Sequence, residues 1–211
     1  MALQYKPETA KRHLAKADPI MAALIQKAGP YKIATEFNLS PFEALVRAIV
    51  YQQLAGSAAA AIHGRLQALF DGEITAEALL KRRQSTLRKV GLSEAKALAV
   101  HDLSKKHIEG IVPDLKTLQQ LNNEEIIERL TAVKGVGRWT VEMMLIFRLG
   151  RADVLPLNDL GIRKGYQFAY GQDAMPAPKA LAAVGEQWAP YRTVASWYLW
   201  RACHSPEWFA T

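Results

Sequence analysis

Cysteine is almost absent: Cys203 stands alone in 211 residues. No internal disulfide can form, which points to a reducing compartment and a cytoplasmic location. A single thiol also excludes an iron–sulfur cluster held by four cysteines. Long apolar runs are missing too. Charged residues interrupt each hydrophobic stretch before it reaches the ~18 residues that a membrane span needs. The opening Met1-Ala2-Leu3-Gln4-Tyr5-Lys6 lacks the apolar core of a secretion signal. No sustained alternation of apolar and polar residues occurs, so no sheet of any size is expected. The histidines at 13, 63, 101, 107 and 204 share no metal-ligand spacing and read as structural or solvent-facing.

What remains is a soluble, helical composition. Half of the residues are hydrophobic and 22% are charged. The chain is long enough for one domain over 1–211, or for two intimate lobes within it. The net charge of +7 is a footprint of nucleic-acid binding, although many basic proteins bind none.

The apolar residues recur at helical spacing. Ser40-Pro41 is a helix start, with a cap followed by proline in the first turn, and Leu45, Val46, Ile49 and Val50 follow. Ser93 opens a second helix that ends near Gly110, and Asn122 or Asn123 caps a third carrying Ile126, Ile127 and Leu130. A fourth runs from about Arg138 to Leu149 and stops at Gly150, a fifth starts near Asn158 or Asp159, and a last one spans about Thr193 to Ala202. The run Ser57-Ala58-Ala59-Ala60-Ala61 reads as a small-residue helix that packs closely against neighbours. The basic clusters Lys81-Arg82-Arg83, Arg88-Lys89 and Lys105-Lys106 read as solvated faces by default, with contact to DNA as the alternative.

The most specific segment is Leu130-Thr-Ala-Val-Lys-Gly135-Val-Gly137-Arg-Trp-Thr140. A helix ends, two glycines turn the chain, and another helix begins. Glycine permits positive φ and leaves no Cβ in the way of a ligand, and a helix N-terminus presents free amides to phosphate. Lys134 and Arg138 add positive charge on either side. Downstream, Asp153 and Asp159 are both candidate carboxylates, and an aspartate at a helix start is also a common cap.

Val133-Lys-Gly-Val-Gly-Arg-Trp-Thr140 resembles the hairpin of the helix-hairpin-helix DNA glycosylases, most closely the 3-methyladenine DNA glycosylase II branch. Phe42 to Leu54, with its Gln-Gln-Leu end, is similar to another signature of that family. So are Leu87-Arg-Lys-Val-Gly-Leu-Ser93 with Lys96, and Asp153-Val-Leu-Pro-Leu-Asn-Asp-Leu-Gly161. The likeness runs from about residue 40 to residue 201.

The resemblance implies an all-α fold of two helical lobes with the active site in the cleft between them, and a helix-hairpin-helix at about 123–149. The β-rich N-terminal domain of larger members is not expected here. It implies a monofunctional glycosylase of base excision repair that takes alkylated bases from double-stranded DNA. The catalytic position falls on Asp159. The base pocket falls on Trp139, Met143, Trp200, Tyr51 and Gln52. DNA contacts fall on Lys134, Gly135, Val136, Gly137, Arg138 and Thr140, with Leu54 as the wedge and Gln53 as its competitor. The main-chain carbonyls of Thr131, Val133 and Val136 would hold a structural Na+ or K+ that bridges to a DNA phosphate; no catalytic cofactor is expected. Superfamily members that also cut the strand place a lysine where this chain has Trp139. A monomer working at the nucleoid, or in a nucleus, is expected. Two other readings differ in kind: a non-catalytic binder of damaged DNA, and a bifunctional glycosylase/lyase.

Overall fold

The computed structural model describes residues 3–35 and 38–209, and all regular structure among them is helical. None of these helices is long and apolar enough to cross a membrane. The starts follow from local capping. Ser40 and Glu43 form a reciprocal capping box at the Pro41–Tyr51 helix, and Asn122 and Glu125 do the same at Asn123–Thr131. The Ser93 side chain accepts from the Lys96 amide and opens Glu94–Ile108. The helix expected to reach Leu149 ends at Phe147, and Gly150 follows with φ +62°.

The helices sort into two compact units. One comprises Asn38–Met144, and the other combines Met1–Phe37 with Leu145–Thr211. In the first, the Glu94–Ile108 helix buries Ala97, Val100 and Leu103 and packs against Pro41–Tyr51 and Ala76–Leu80. The Gly56–Ala68 helix corrects the expectation for its small residues. Ala58, Ala60 and Ala61 are exposed and only Ala59 of the run is buried, so the alanines face solvent rather than a close helix crossing.

In the second unit, two helices absent from the sequence reading, Pro7–Ala17 and Pro19–Ala28, join Leu160–Ala169, Pro178–Gly185 and Arg192–His204 around Leu14, Met21, Ile162, Trp188, Tyr198 and Leu199. Asp18 is buried among them. One oxygen caps Pro19–Ala28 through the Ile20 and Met21 amides, and the other accepts from Tyr170 Oη and, at 2.9 Å, from Trp188 Nε1. That satisfies a charge which would otherwise be costly inside. Burial, and then this hydrogen bond, push the Tyr170 phenol well above its usual pKa.

The crossing of Leu160–Ala169 with Arg192–His204 is the tightest contact in this unit. A Cβ on Gly165 would lie 1.8 Å from the Leu199 carbonyl oxygen, so only glycine allows the two backbones to touch.

Candidate active site and nucleic-acid interface

The candidate residues fall into two sets, one in each unit. The hairpin set belongs to Asn38–Met144. Gly135 has φ +79°, a conformation that L side chains resist, and a Cβ there would stand 3.2 Å from Ala99 Cβ. Nothing lies within 4 Å of the Cβ position of Gly137. The Lys134 amide donates to Asp102 Oδ2 at 2.7 Å, and the Val136 amide turns back to the Val133 carbonyl at 3.0 Å. The amides of Gly135 and Gly137 meet no acceptor among the described residues, which leaves them for an anion. Burial alone would raise the Asp102 carboxyl. The Lys106 ammonium at 2.7 Å and the Lys134 amide outweigh burial and hold it below its usual value.

The turn after Tyr51 is braced against this hairpin. Gln52 Nε2 donates to the Gly135 carbonyl at 2.9 Å, and Lys96 Nζ donates to the carbonyls of Val50 and Gln52, both at 2.7 Å. Partial burial lowers the Lys96 ammonium pKa. Gln53 takes φ +54°, and Leu54 stands 39% exposed beyond it. Of the two wedge candidates, Leu54 is the apolar one held outward by a fixed turn.

Three of the expected residues in this unit are engaged within the fold. Gln52 braces the hairpin, because its side-chain amide reaches the Gly135 carbonyl. Arg138 is not a free flanking charge. Its guanidinium grips Glu124 in a bidentate pair at 2.9 and 2.6 Å and reaches Glu142 at 3.0 Å, joining the two hairpin helices. Those acids raise its pKa, the Glu124 bond most. Thr140 is buried, at 7% exposure. Tyr51 is partly masked as well, with the Arg47 guanidinium 4.3 Å from its ring centre. Trp139, by contrast, is 49% exposed, and Met143 is half-buried one turn along the Arg138–Phe147 helix.

The carboxylate set belongs to the other unit. Asp159 caps Leu160–Ala169: its Oδ1 accepts from the Ile162 amide at 2.9 Å and from Trp200 Nε1 at 2.9 Å, and the residue is 9% exposed. Capping and chemistry are therefore compatible roles for one side chain. Asp153 is engaged differently: Arg192 holds it in a bidentate pair at 2.7 and 2.8 Å. The loop leading to Asp159 is stitched to the last helix. Thr193 Oγ donates to the Arg151 carbonyl and accepts from the Val154 amide, while Ser196 Oγ donates to the Val154 carbonyl.

Phe147 stacks on Trp200 with ring centres 5.8 Å apart and planes at 23°. Gly161 makes room for the indole, since a Cβ there would come within 3.0 Å of Trp200 Cδ1. Trp188 is fully buried, and Trp197 packs edge-on against Tyr31, as core residues do. Lys164 is exposed, with its ammonium 5.6 Å from the Phe168 ring centre. Sequence reasoning did not find Asp102, Thr193, Ser196, Phe147 or Gly161. Each acts through a partner distant in sequence, except Gly161, whose place beside Asp159 was the one available signal.

Residues 46–190 match the model of the HhH-GPD superfamily of base excision DNA repair proteins. The chain belongs to that superfamily. It is 37% identical over 195 residues to DNA-3-methyladenine glycosylase 1 of Schizosaccharomyces pombe, covering 91% of this chain and 86% of that protein. The solved structure of the S. pombe 3-methyladenine DNA glycosylase in complex with abasic DNA superposes with a TM-score of 0.81 at 37% identity, covering 91% of this chain and 95% of that one. The structure of a DNA-3-methyladenine glycosidase from Bacillus halodurans gives a TM-score of 0.84 at 36% identity, covering 96% and 91%. The all-helical expectation holds. Among the described residues no group of three or more histidine, cysteine or acidic side chains is placed to hold a metal.

Proposed function

We propose that the protein is a monofunctional DNA glycosylase that hydrolyses the N-glycosidic bond of alkylated purines, of the 3-methyladenine and 7-methylguanine type, in double-stranded DNA. The observation that carries this is Asp159, a nearly buried carboxylate fixed by two N–H donors. It sits in a chain that aligns over most of its length with a named 3-methyladenine glycosylase.

When the C1′–N bond breaks, its electron pair leaves with the base and positive charge develops on the deoxyribose. A fixed carboxylate stabilises that charge, and water adds to C1′ and gives up a proton. An N-methylated purine is cationic before it leaves and neutral afterwards, so it needs no strong acid behind it. The exposed indole of Trp139, with Met143 beside it, is the surface we assign to the extruded base; cation–π attraction there is worth roughly 0.5–2 kcal/mol. Leu54 would fill the gap in the stack. The hairpin amides of Gly135 and Gly137 would take a DNA phosphate, which positions the protein without reading sequence.

A monovalent cation fits the same hairpin. The carbonyls of Thr131 and Val136 accept from no described donor, and that of Val133 accepts one bond only. Neutral oxygens of this kind suit Na+ or K+. Its chemistry would be to neutralise phosphate charge. The enzyme would act wherever the cell keeps its DNA.

Trp139 offers no amine for a Schiff base. The product is therefore an intact strand with an abasic site, and breaks appear only after alkali or an added lyase. Borohydride traps no covalent adduct, and base release survives EDTA. Denaturing gels of a lesion-containing duplex read all three. A trapped adduct that disappears on mutation of Lys134 or Lys164 would replace this reading with a glycosylase/lyase.

A further inference from the structure

The geometry points to Trp200 as a positioning residue that works through Asp159, rather than as a surface on which the damaged base stacks. The inference rests on the reading of Asp159 as the catalytic carboxylate and deepens it. Three observations carry it. The indole edge is committed, since Nε1 donates to Asp159 Oδ1 at 2.9 Å. Phe147 stacks on the ring in an offset arrangement, with centres 5.8 Å and planes 23° apart, which occupies part of one face. Gly161 leaves the opening through which the indole reaches the carboxylate, because a Cβ there would lie 3.0 Å from Trp200 Cδ1, 3.3 Å from Nε1 and 3.2 Å from Asp159 Oδ1.

The same Oδ1 also takes the Ile162 amide. Two N–H donors on one oxygen fix the rotation of the carboxyl group about its Cβ–Cγ bond. An aspartate that only capped its helix would need the Ile162 amide alone. The indole adds the second constraint from another helix, Arg192–His204, whose approach to Leu160–Ala169 depends on Gly165. A group that must stabilise charge in the transition state gains most when it is held before the reaction begins.

The test is a double-mutant cycle of Trp200→Phe and Asp159→Asn, read as single-turnover excision from a hypoxanthine duplex with enough enzyme to measure the residual rate of Asp159→Asn. Phenylalanine keeps the stack on Phe147 and removes only the donor. Trp200→Phe alone slows excision by roughly 10- to 100-fold, the worth of one hydrogen bond to a charged group. Its dissociation constant for the lesion duplex stays within about twofold of the original. In the Asp159→Asn background the same change alters the rate by less than about twofold, because two residues that act as a unit are not additive.

Gly161→Ala supplies a second route. It leaves the indole in place chemically but crowds it away from Oδ1, and it reproduces the loss in rate without loss of affinity. A tenfold loss from Trp200→Phe that persists in the Asp159→Asn background would overturn the inference and return the indole to the base. So would a Trp200→Phe protein as fast as the original. Full activity of Asp159→Asn by itself would instead remove the catalytic reading on which the inference stands.

Discussion

Asp159→Asn lowers excision of a neutral lesion such as hypoxanthine by at least about 100-fold, while the dissociation constant for DNA moves by no more than a few-fold. One preorganised electrostatic group is typically worth this much in the chemical step. The substitution is conservative in shape. The asparagine oxygen can still accept from the Ile162 amide and from Trp200 Nε1, so the helix cap and the indole contact survive while the charge is lost. A neutral lesion is the right substrate, because a cationic base departs readily without help. Asp153→Asn serves as the contrast. It breaks the bidentate pair with Arg192 and shows its effect in thermal stability before it shows in the rate of chemistry. Equal excision rates for Asp159→Asn and the unmodified protein, measured under single-turnover conditions, would refute the assignment.

Gly165→Ala is expected to be the most damaging single-methyl change in the chain. The added carbon would stand 1.8 Å from the Leu199 carbonyl oxygen, 2.7 Å from its carbon and 3.2 Å from the Cys203 nitrogen. These are main-chain atoms of a helix, so no rotamer change relieves the clash, and the two helices must separate. Overpacking a tight contact costs about 1–3 kcal/mol and more when backbone must move. For a chain of this length that corresponds to a fall in Tm of roughly 2–12 °C. The moving helix is capped by Asp159, and a displacement of ~1 Å at a catalytic group can cost about 100-fold in rate. Calorimetry and the excision assay should therefore report the same lesion in the fold. A Gly165→Ala protein with unchanged Tm would show that the crossing is looser than the 1.8 Å approach requires.

Much of this was legible because capping is local. Ser40, Ser93 and Asn122 announce their helices within four residues, and Gly135 and Gly137 announce a turn whose amides remain open. Asp18-Pro19 carries the same kind of signal for Pro19–Ala28, whereas Pro7–Ala17 starts at Lys6 without a side-chain cap. The remainder is non-local. The Gln52 side-chain amide finds its partner at Gly135, 83 residues away. Arg138 looks like a phosphate ligand until Glu124 and Glu142 surround it. Thr140 shares a segment with exposed hairpin residues but turns inward on its helix. Pairing and burial of this kind leave no trace in the spacing of the residues.

The central claim is that this chain removes alkylated purines as free bases. Duplex DNA treated with a methylating agent, incubated with the protein and then separated from small molecules, measures that directly by chromatography of the supernatant. The account predicts release of free 3-methyladenine and 7-methylguanine in proportion to enzyme, with abasic sites accumulating one for one in strands that remain unbroken. Methylated DNA that is bound by the protein, but yields no free base above the spontaneous rate, would contradict it and leave a binder of damaged DNA in its place.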